Sequence, residues 1–204
     1  MKNIAVFVSG NGTNLQAMID RVAKGALRVN LKLVLSDKGS AFALRRAQKA
    51  GIPSIFVDPK KFSHKNDYER HLISLLEDEK IDFIVLAGFM RILGPVFLKK
   101  YKNRILNIHP ALLPAFKGAH AIQDAYEYGI KVTGVTVHFV DEKVDHGPII
   151  MQEAVSVGDH ESEAQLEERI HKIEHRLYSE AIQKVCDGRF STRGRRVVSR
   201  SRAR

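Results

Sequence analysis

Short runs rich in valine and isoleucine alternate along most of this chain with longer segments of helical periodicity, and that alternation is what most narrows the folds open to it. Strands separated by helices pair in parallel, because a strand-helix-strand crossover returns the chain in the same direction. The sequence predicts strands over 4–8, 31–35, 54–57, 83–87, 105–108, 132–139 and 148–156, and helices over 14–24, 41–50, 66–79, 119–128 and about 161–187. Gly51-Ile52-Pro53 stops the second helix, and Gly188 closes the last one as a C-cap. That last helix carries one apolar stripe of Leu166, Ile170, Ile173, Leu177, Ala181 and Val185. The run 133–140 alternates small or polar residues with apolar ones, unlike the solid apolar runs of the first and fourth strands. It is expected to be a less buried strand, in a later part of the sheet that is partly antiparallel.

With 204 residues and 44% hydrophobic composition, the chain is expected to form one domain over residues 1–188, followed by a basic tail over 189–204. No apolar run approaches the roughly 20 residues of a membrane-spanning helix, so no membrane partner is expected. The five-residue apolar run 4–8 leads into Gly and Asn and lacks the cleavage site of a signal peptide. A single cysteine, Cys186, excludes an internal disulfide and any multi-cysteine zinc site, which suits a reducing cytoplasm. The net charge of +10 is concentrated at one end. Residues 189–204 hold seven arginines and no acid, which leaves 26 Lys and Arg against 23 Asp and Glu, a net of +3, over residues 1–188. Only Phe190 lies among those arginines, so no base-stacking platform is visible, and the segment reads as a solvated tail without a nucleic-acid partner.

The first strand ends in Ser9-Gly10-Asn11-Gly12-Thr13-Asn14-Leu15, directly before a helix. The N–H groups at a helix start point at whatever anion sits there, so this loop is a phosphate cradle or, more simply, a turn capped by Thr13 or Asn14. It is neither a dinucleotide fingerprint, since Leu15 stands where the third small residue belongs, nor a Walker A loop.

Residues 105–114 read Ile-Leu-Asn-Ile-His-Pro-Ala-Leu-Leu-Pro. Asn107 and His109 share one face of a strand that ends there, which places both at a sheet's carboxyl edge, where ligands bind in open α/β sheets. Asn and His suit the stabilisation of an oxyanion in acyl transfer, and His also moves protons near neutral pH. A carboxylate beside His109 favours its imidazolium form. The acidic loop after residue 140 supplies three candidates, Asp141, Glu142 and Asp145, which the sequence does not separate.

Two other patterns are read as structural. His171-Lys172-Ile173-Glu174-His175 has the spacing of a zinc motif but no third ligand in view, so no metal is expected. Asp37 follows the second strand, where a dinucleotide enzyme has its ribose-binding acid, but without the glycine pattern it reads as a turn residue.

Four ordered segments together resemble the phosphoribosylglycinamide formyltransferases, folate-dependent enzymes of purine synthesis: 9–16, 86–93, 107–114 and Asp145-His146-Gly147-Pro148. The resemblance covers about residues 1–198. It implies an α/β chain with a Rossmann-like, three-layer formyltransferase fold, its central sheet mostly parallel with an antiparallel part in the C-terminal half. It also implies a cytoplasmic enzyme whose glycinamide ribonucleotide amine attacks the formyl carbon of 10-formyltetrahydrofolate, the co-substrate. The residues that match the family's catalytic trio are Asn107, His109 and Asp145. Gly12, Thr13 and Asn14 match its phosphate-holding segment, and Glu174 its contact to the substrate amide. Lys65, Met90, Arg91, Ile92 and Leu93, with Asn107, match the folate pocket. The alternative is another formyltransferase or a deformylase of the same fold. The methionyl-tRNA enzyme carries an extra C-terminal domain and the deformylase an extra N-terminal one, and room for neither is expected here.

Overall fold

β1 (Lys2–Val8) is apolar from Ile4 to Val8, and each of those five residues is fully buried, as befits a strand with neighbours on both edges and cover on both faces. The computed structural model of the chain describes residues 1–199, and the chain divides into two compact units, Met1–Leu106 and Asn107–Arg204.

In the first unit β1 pairs in parallel with β2 (Val29–Ser36) and β4 (Phe83–Leu86), and β2 with β3 (Ser54–Phe56), in the order β3-β2-β1-β4. The crossovers are α1 (Thr13–Ala23), α2 (Phe42–Lys49) and α3 (Lys65–Asp78), with one 3-10 turn at Pro59–Lys61. A helix the sequence reading did not include, α4 (Pro95–Lys100), follows β4 and precedes β5 (Ile105–His109). It is too short for a periodic signal, but Gly94-Pro95 opens it with proline where the missing N–H costs nothing.

In the second unit the order is β5-β6-β7-β9-β8. β6 (Val132–Phe139) and β7 (Ile149–Ser156) are antiparallel, so the sheet is mixed in this half, as expected. α5 (Ala121–Tyr128) leads into β6, and α6 (Glu163–Cys186) packs on both β6 and β7. Ser162 starts α6 with a capping box: its hydroxyl accepts from the Gln165 N–H while the Gln165 side chain accepts from the Ser162 N–H. Leu166, Ile170, Leu177 and Ile182 are buried along α6 and contribute roughly 1.5–3 kcal/mol each. Arg189 N–H bonds to the Lys184 carbonyl across Gly188, whose φ of +69° closes the helix.

Two expectations are corrected here. β6 is buried from Thr133 to Phe139, where a less buried strand was expected. Its small and polar residues face inward: Gly134 leaves room for Leu112, and the Thr136 hydroxyl donates to the Ala111 carbonyl while accepting from the Leu113 N–H. The stretch expected as a solvated tail contains a hairpin, β8 (Phe190–Arg193) and β9 (Arg196–Ser199), with β9 pairing to β7 at Ile149. Gly194, at φ +58°, takes the first position of its two-residue loop, where this kind of turn requires glycine. Residues 200–204 of the expected tail lie outside the described residues.

Candidate active site

In the first unit the glycine loop follows β1. Gly12, rather than Thr13 or Asn14, is the N-cap of α1, at φ +76° and with no side-chain cap hydrogen bond. A Cβ at Gly12 would stand 2.6 Å from Ala43 Cβ, so the start of α2 seats directly on the loop. Arg46 of α2 ties the loop down by donating to the Asn11 backbone and side-chain oxygens and to Gln16. Thr13 and Asn14 form the first turn of α1.

The segment after β4 is anchored at alternating points. Phe89 packs edge-on against Phe7 at 5.2 Å, Leu93 is buried, and the Met90 N–H donates to Ser9 Oγ at 2.9 Å. Ser9 in turn donates to Asp37 Oδ1 at 2.5 Å, so Asp37 helps to join two loops. Between the anchors Met90 and Ile92 stand 62% and 66% exposed, an apolar pair on the surface. Arg91 lies over the Tyr68 ring at 5.5 Å. Burial, with Asp37 second and Arg91 working the other way, pushes the Tyr68 hydroxyl up to about 12.

Glu69, which the sequence reading passed over, is buried on α3 and takes hydrogen bonds from the Gly94 and Phe97 N–H groups, at 2.5 and 3.3 Å. It thereby caps α4 and fixes the end of the exposed segment. Lys65, four residues earlier, places its ammonium 3.9 Å from the same carboxylate.

The second unit gathers the trio. Asn107 and His109 project from the end of β5, and Asp145 reaches them from the loop after β6. His109 Nδ1 lies 3.4 Å from Asp145 Oδ2, and its Nε2 lies 2.7 Å from the Phe116 carbonyl oxygen. The Gly118 N–H donates to Asp145 Oδ2 at 2.9 Å. Asn107 Nδ2 lies 3.2 Å from His138 Nε2 and 3.5 Å from Asp145 Oδ1. Burial pushes the Asp145 carboxyl up, but His138, the Gly118 N–H and the charge of His109 outweigh it and hold the carboxyl below its usual value.

His138 was not singled out from the sequence, although its signal was the one that marked His109: a polar side chain near the carboxyl end of a buried strand. It is fully enclosed, and its Nδ1 bonds to the Phe139 carbonyl. Asp141 is engaged elsewhere, with His146 Nδ1 at 2.8 Å. Glu174 sits on the buried face of α6 and pairs with His171 Nδ1 at 2.8 Å. The two histidines of the zinc-like pattern do not gather ligands, and among the described residues no three metal-ligating side chains come together. Among the same residues no helix is long and apolar enough to cross a membrane.

Known proteins are similar to this chain over most of its length. Residues 2–182 match the profile of the formyl transferase family. The chain is 41% identical to a phosphoribosylglycinamide formyltransferase of Bacillus subtilis (strain 168) over 185 residues, 91% of this chain and 95% of that protein. It is 45% identical to the trifunctional purine biosynthetic protein adenosine-3 of Gallus gallus over 91% of this chain, and spans 18% of that longer protein. The crystal structure of glycinamide ribonucleotide transformylase 1 from Symbiobacterium toebii superposes with a TM-score of 0.95 at 42% identity, covering 98% of this chain and 95% of that one. With a profile match over most of its length and relatives this similar from end to end, the chain belongs to the formyl transferase family.

Proposed function

We propose that this enzyme transfers the formyl group of 10-formyltetrahydrofolate to the amine of 5′-phosphoribosylglycinamide, a step of purine synthesis in the cytoplasm. The observation that carries the reading is the convergence of Asn107, His109 and Asp145 in a chain whose full-length relatives bear that activity in their names.

The amine attacks the formyl carbon, a C–N bond forms, and the formyl oxygen becomes an alkoxide. The Asn107 amide supplies a hydrogen-bond donor where that charge develops, and the Nδ1–H of protonated His109, whose contact to Asp145 is long at 3.4 Å, supplies a second. Phe116 holds Nε2, which leaves Nδ1 as the position where a proton is shared with Asp145. Asp145, ionised at neutral pH, keeps the ring charged and draws the proton from the attacking nitrogen, directly or through water. Collapse of the intermediate breaks the bond to the folate nitrogen, which leaves with a proton.

The binding roles follow the same reading. Gly12, Thr13 and Asn14 hold the ribonucleotide phosphate with the N–H groups of the first turn of α1, supported by the open N-cap. Glu174 receives the substrate amide. Met90, Arg91, Ile92 and Leu93, with Lys65 and Asn107, take the folate, supported by the exposed apolar pair in that segment.

The test is loss of formyl-folate absorbance with purified protein. The expected result is turnover that requires the ribonucleotide and falls about 10²–10⁴-fold in His109→Ala. Equal turnover without the ribonucleotide would identify a deformylase, in which water replaces the amine. An undiminished rate in His109→Ala would remove the mechanism.

A further inference from the structure

Asp145 stands at φ +46°, in the left-handed region that a non-glycine residue keeps only when its surroundings hold it there. Its neighbours show how. The Arg195 guanidinium, at the turn of the β8-β9 hairpin, donates from Nη2 to the His146 carbonyl at 2.6 Å, and its Nη1 lies 3.0 Å from the His146 ring nitrogens. Nδ1 of the same ring lies 2.8 Å from Asp141 Oδ2, and Asp141 also accepts from the Lys143 N–H through Oδ1 and so closes the loop on itself. Gly147 comes next, where a Cβ would run into the Phe139 carbonyl oxygen, so the loop has no slack beyond His146. A cation, an imidazole and a carboxylate thus form a chain from the hairpin turn to the residue beside the carboxylate that faces His109.

We infer that Arg195 is a positioning residue for the reaction: through His146 it fixes the backbone that aims Asp145 at His109, and the C-terminal arginine-rich hairpin is a clamp on the catalytic loop. Arg195 touches neither Asp145 nor His109 in any hydrogen bond or ion pair described above, so its effect falls on the geometry of the chemical step. The inference rests on the formyl-transfer reading for its kinetic test and stands on geometry alone for its second test.

Arg195→Ala is expected to lower kcat about 10-fold, the scale of a small misplacement of a reacting group, with KM for both substrates within about twofold. Arg195→Lys, which keeps the charge but not the forked donors, is expected to recover only part of the loss. Arg196→Ala, one residue away on the same hairpin, is expected to leave the rate unchanged. Asp141→Asn combined with Arg195→Ala is expected to cost no more than the larger single change, because both act through His146. Independently, hydrogen exchange over residues 141–148 is expected to accelerate in Arg195→Ala while exchange over β6 stays as in the wild type. Wild-type kcat together with unchanged exchange in Arg195→Ala would overturn the clamp. So would equal losses in Arg195→Ala and Arg196→Ala, which mark a general effect of the hairpin. If the unaltered protein shows no formyl transfer, the functional reading fails while the exchange measurement still decides the clamp.

Discussion

Asp145 meets His109 at 3.4 Å with a Gly118 N–H on the same carboxylate oxygen, so its charge and its placement are separable. Asp145→Asn keeps the size and leaves an amide oxygen for Gly118, but removes the carboxylate charge beside His109. It is expected to lower kcat by about 10²-fold or more with little change in KM for the ribonucleotide, measured by steady-state kinetics near neutral pH. A variant with wild-type kcat would show that the charge is dispensable. At this scale Asn107 and His109 were legible because a strand's period of two and its carboxyl end are both written in local sequence. Asp145 was not separable from Asp141 and Glu142 without the family resemblance. The three share one loop, and only the folded backbone turns Asp145 inward and gives Asp141 to His146. His138 and Glu69 were missed for a related reason. Each acts on a partner distant in sequence, Asn107 for one and the Gly94 N–H for the other.

The β1-to-α1 junction sets the element scale, where one glycine does two things. At Gly12 a side chain meets both a positive φ and the first residues of α2, whose Ala43 Cα would lie 2.9 Å from the new Cβ. Gly12→Ala is therefore expected to destabilise the protein by about 1–3 kcal/mol, lowering the thermal midpoint by several degrees. It is also expected to raise KM for the ribonucleotide more than KM for the folate. A variant with unchanged midpoint and unchanged KM would mean that α2 yields freely and that the loop does not hold the phosphate. Elements with long periodic patterns, such as α3 and α6, were legible within two or three residues. The failures have distinct causes. α4 is one and a half turns long, its start is capped by Glu69 from another helix, and its core residue Phe97 packs on Phe7 and Tyr101. The hairpin was hidden by its arginines, since charge on exposed strand positions looks like a tail until Gly194 is read as a turn. β6 looked solvated because its small and polar residues serve packing and internal hydrogen bonds.

At the scale of the whole molecule, charge is divided unevenly along the sequence, and the groups that titrate differently in the fold set how stability depends on pH. Asp145 is held low by the causes given above, and Asp141 is held low against burial by His146, the Lys143 N–H and Arg195. Each contributes stability that is complete above its unfolded value and lost as pH falls through the lower folded one. Burial, the largest effect on His175, pushes its imidazole down, so it too withdraws support toward acid. His171 has the opposite sign. Its hydrogen bond to Glu174 is the largest effect, burial opposes it, and the charges of Glu174 and Glu167 add to it, so the imidazole lies above its ordinary 6.5. The His171–Glu174 pair therefore supports the fold fully below about 6.5 and releases that support as pH rises through the raised folded value. His171 is partly exposed, so solvent screens the pair and the effect on the midpoint is modest. His171→Gln is expected to melt below the wild type at about pH 5.5, with the gap narrowing toward zero as pH rises well above the folded value, measured by calorimetry across that range. A gap that stays constant with pH would mean that His171 contributes packing alone. A gap that widens toward alkali would contradict the raised value of His171.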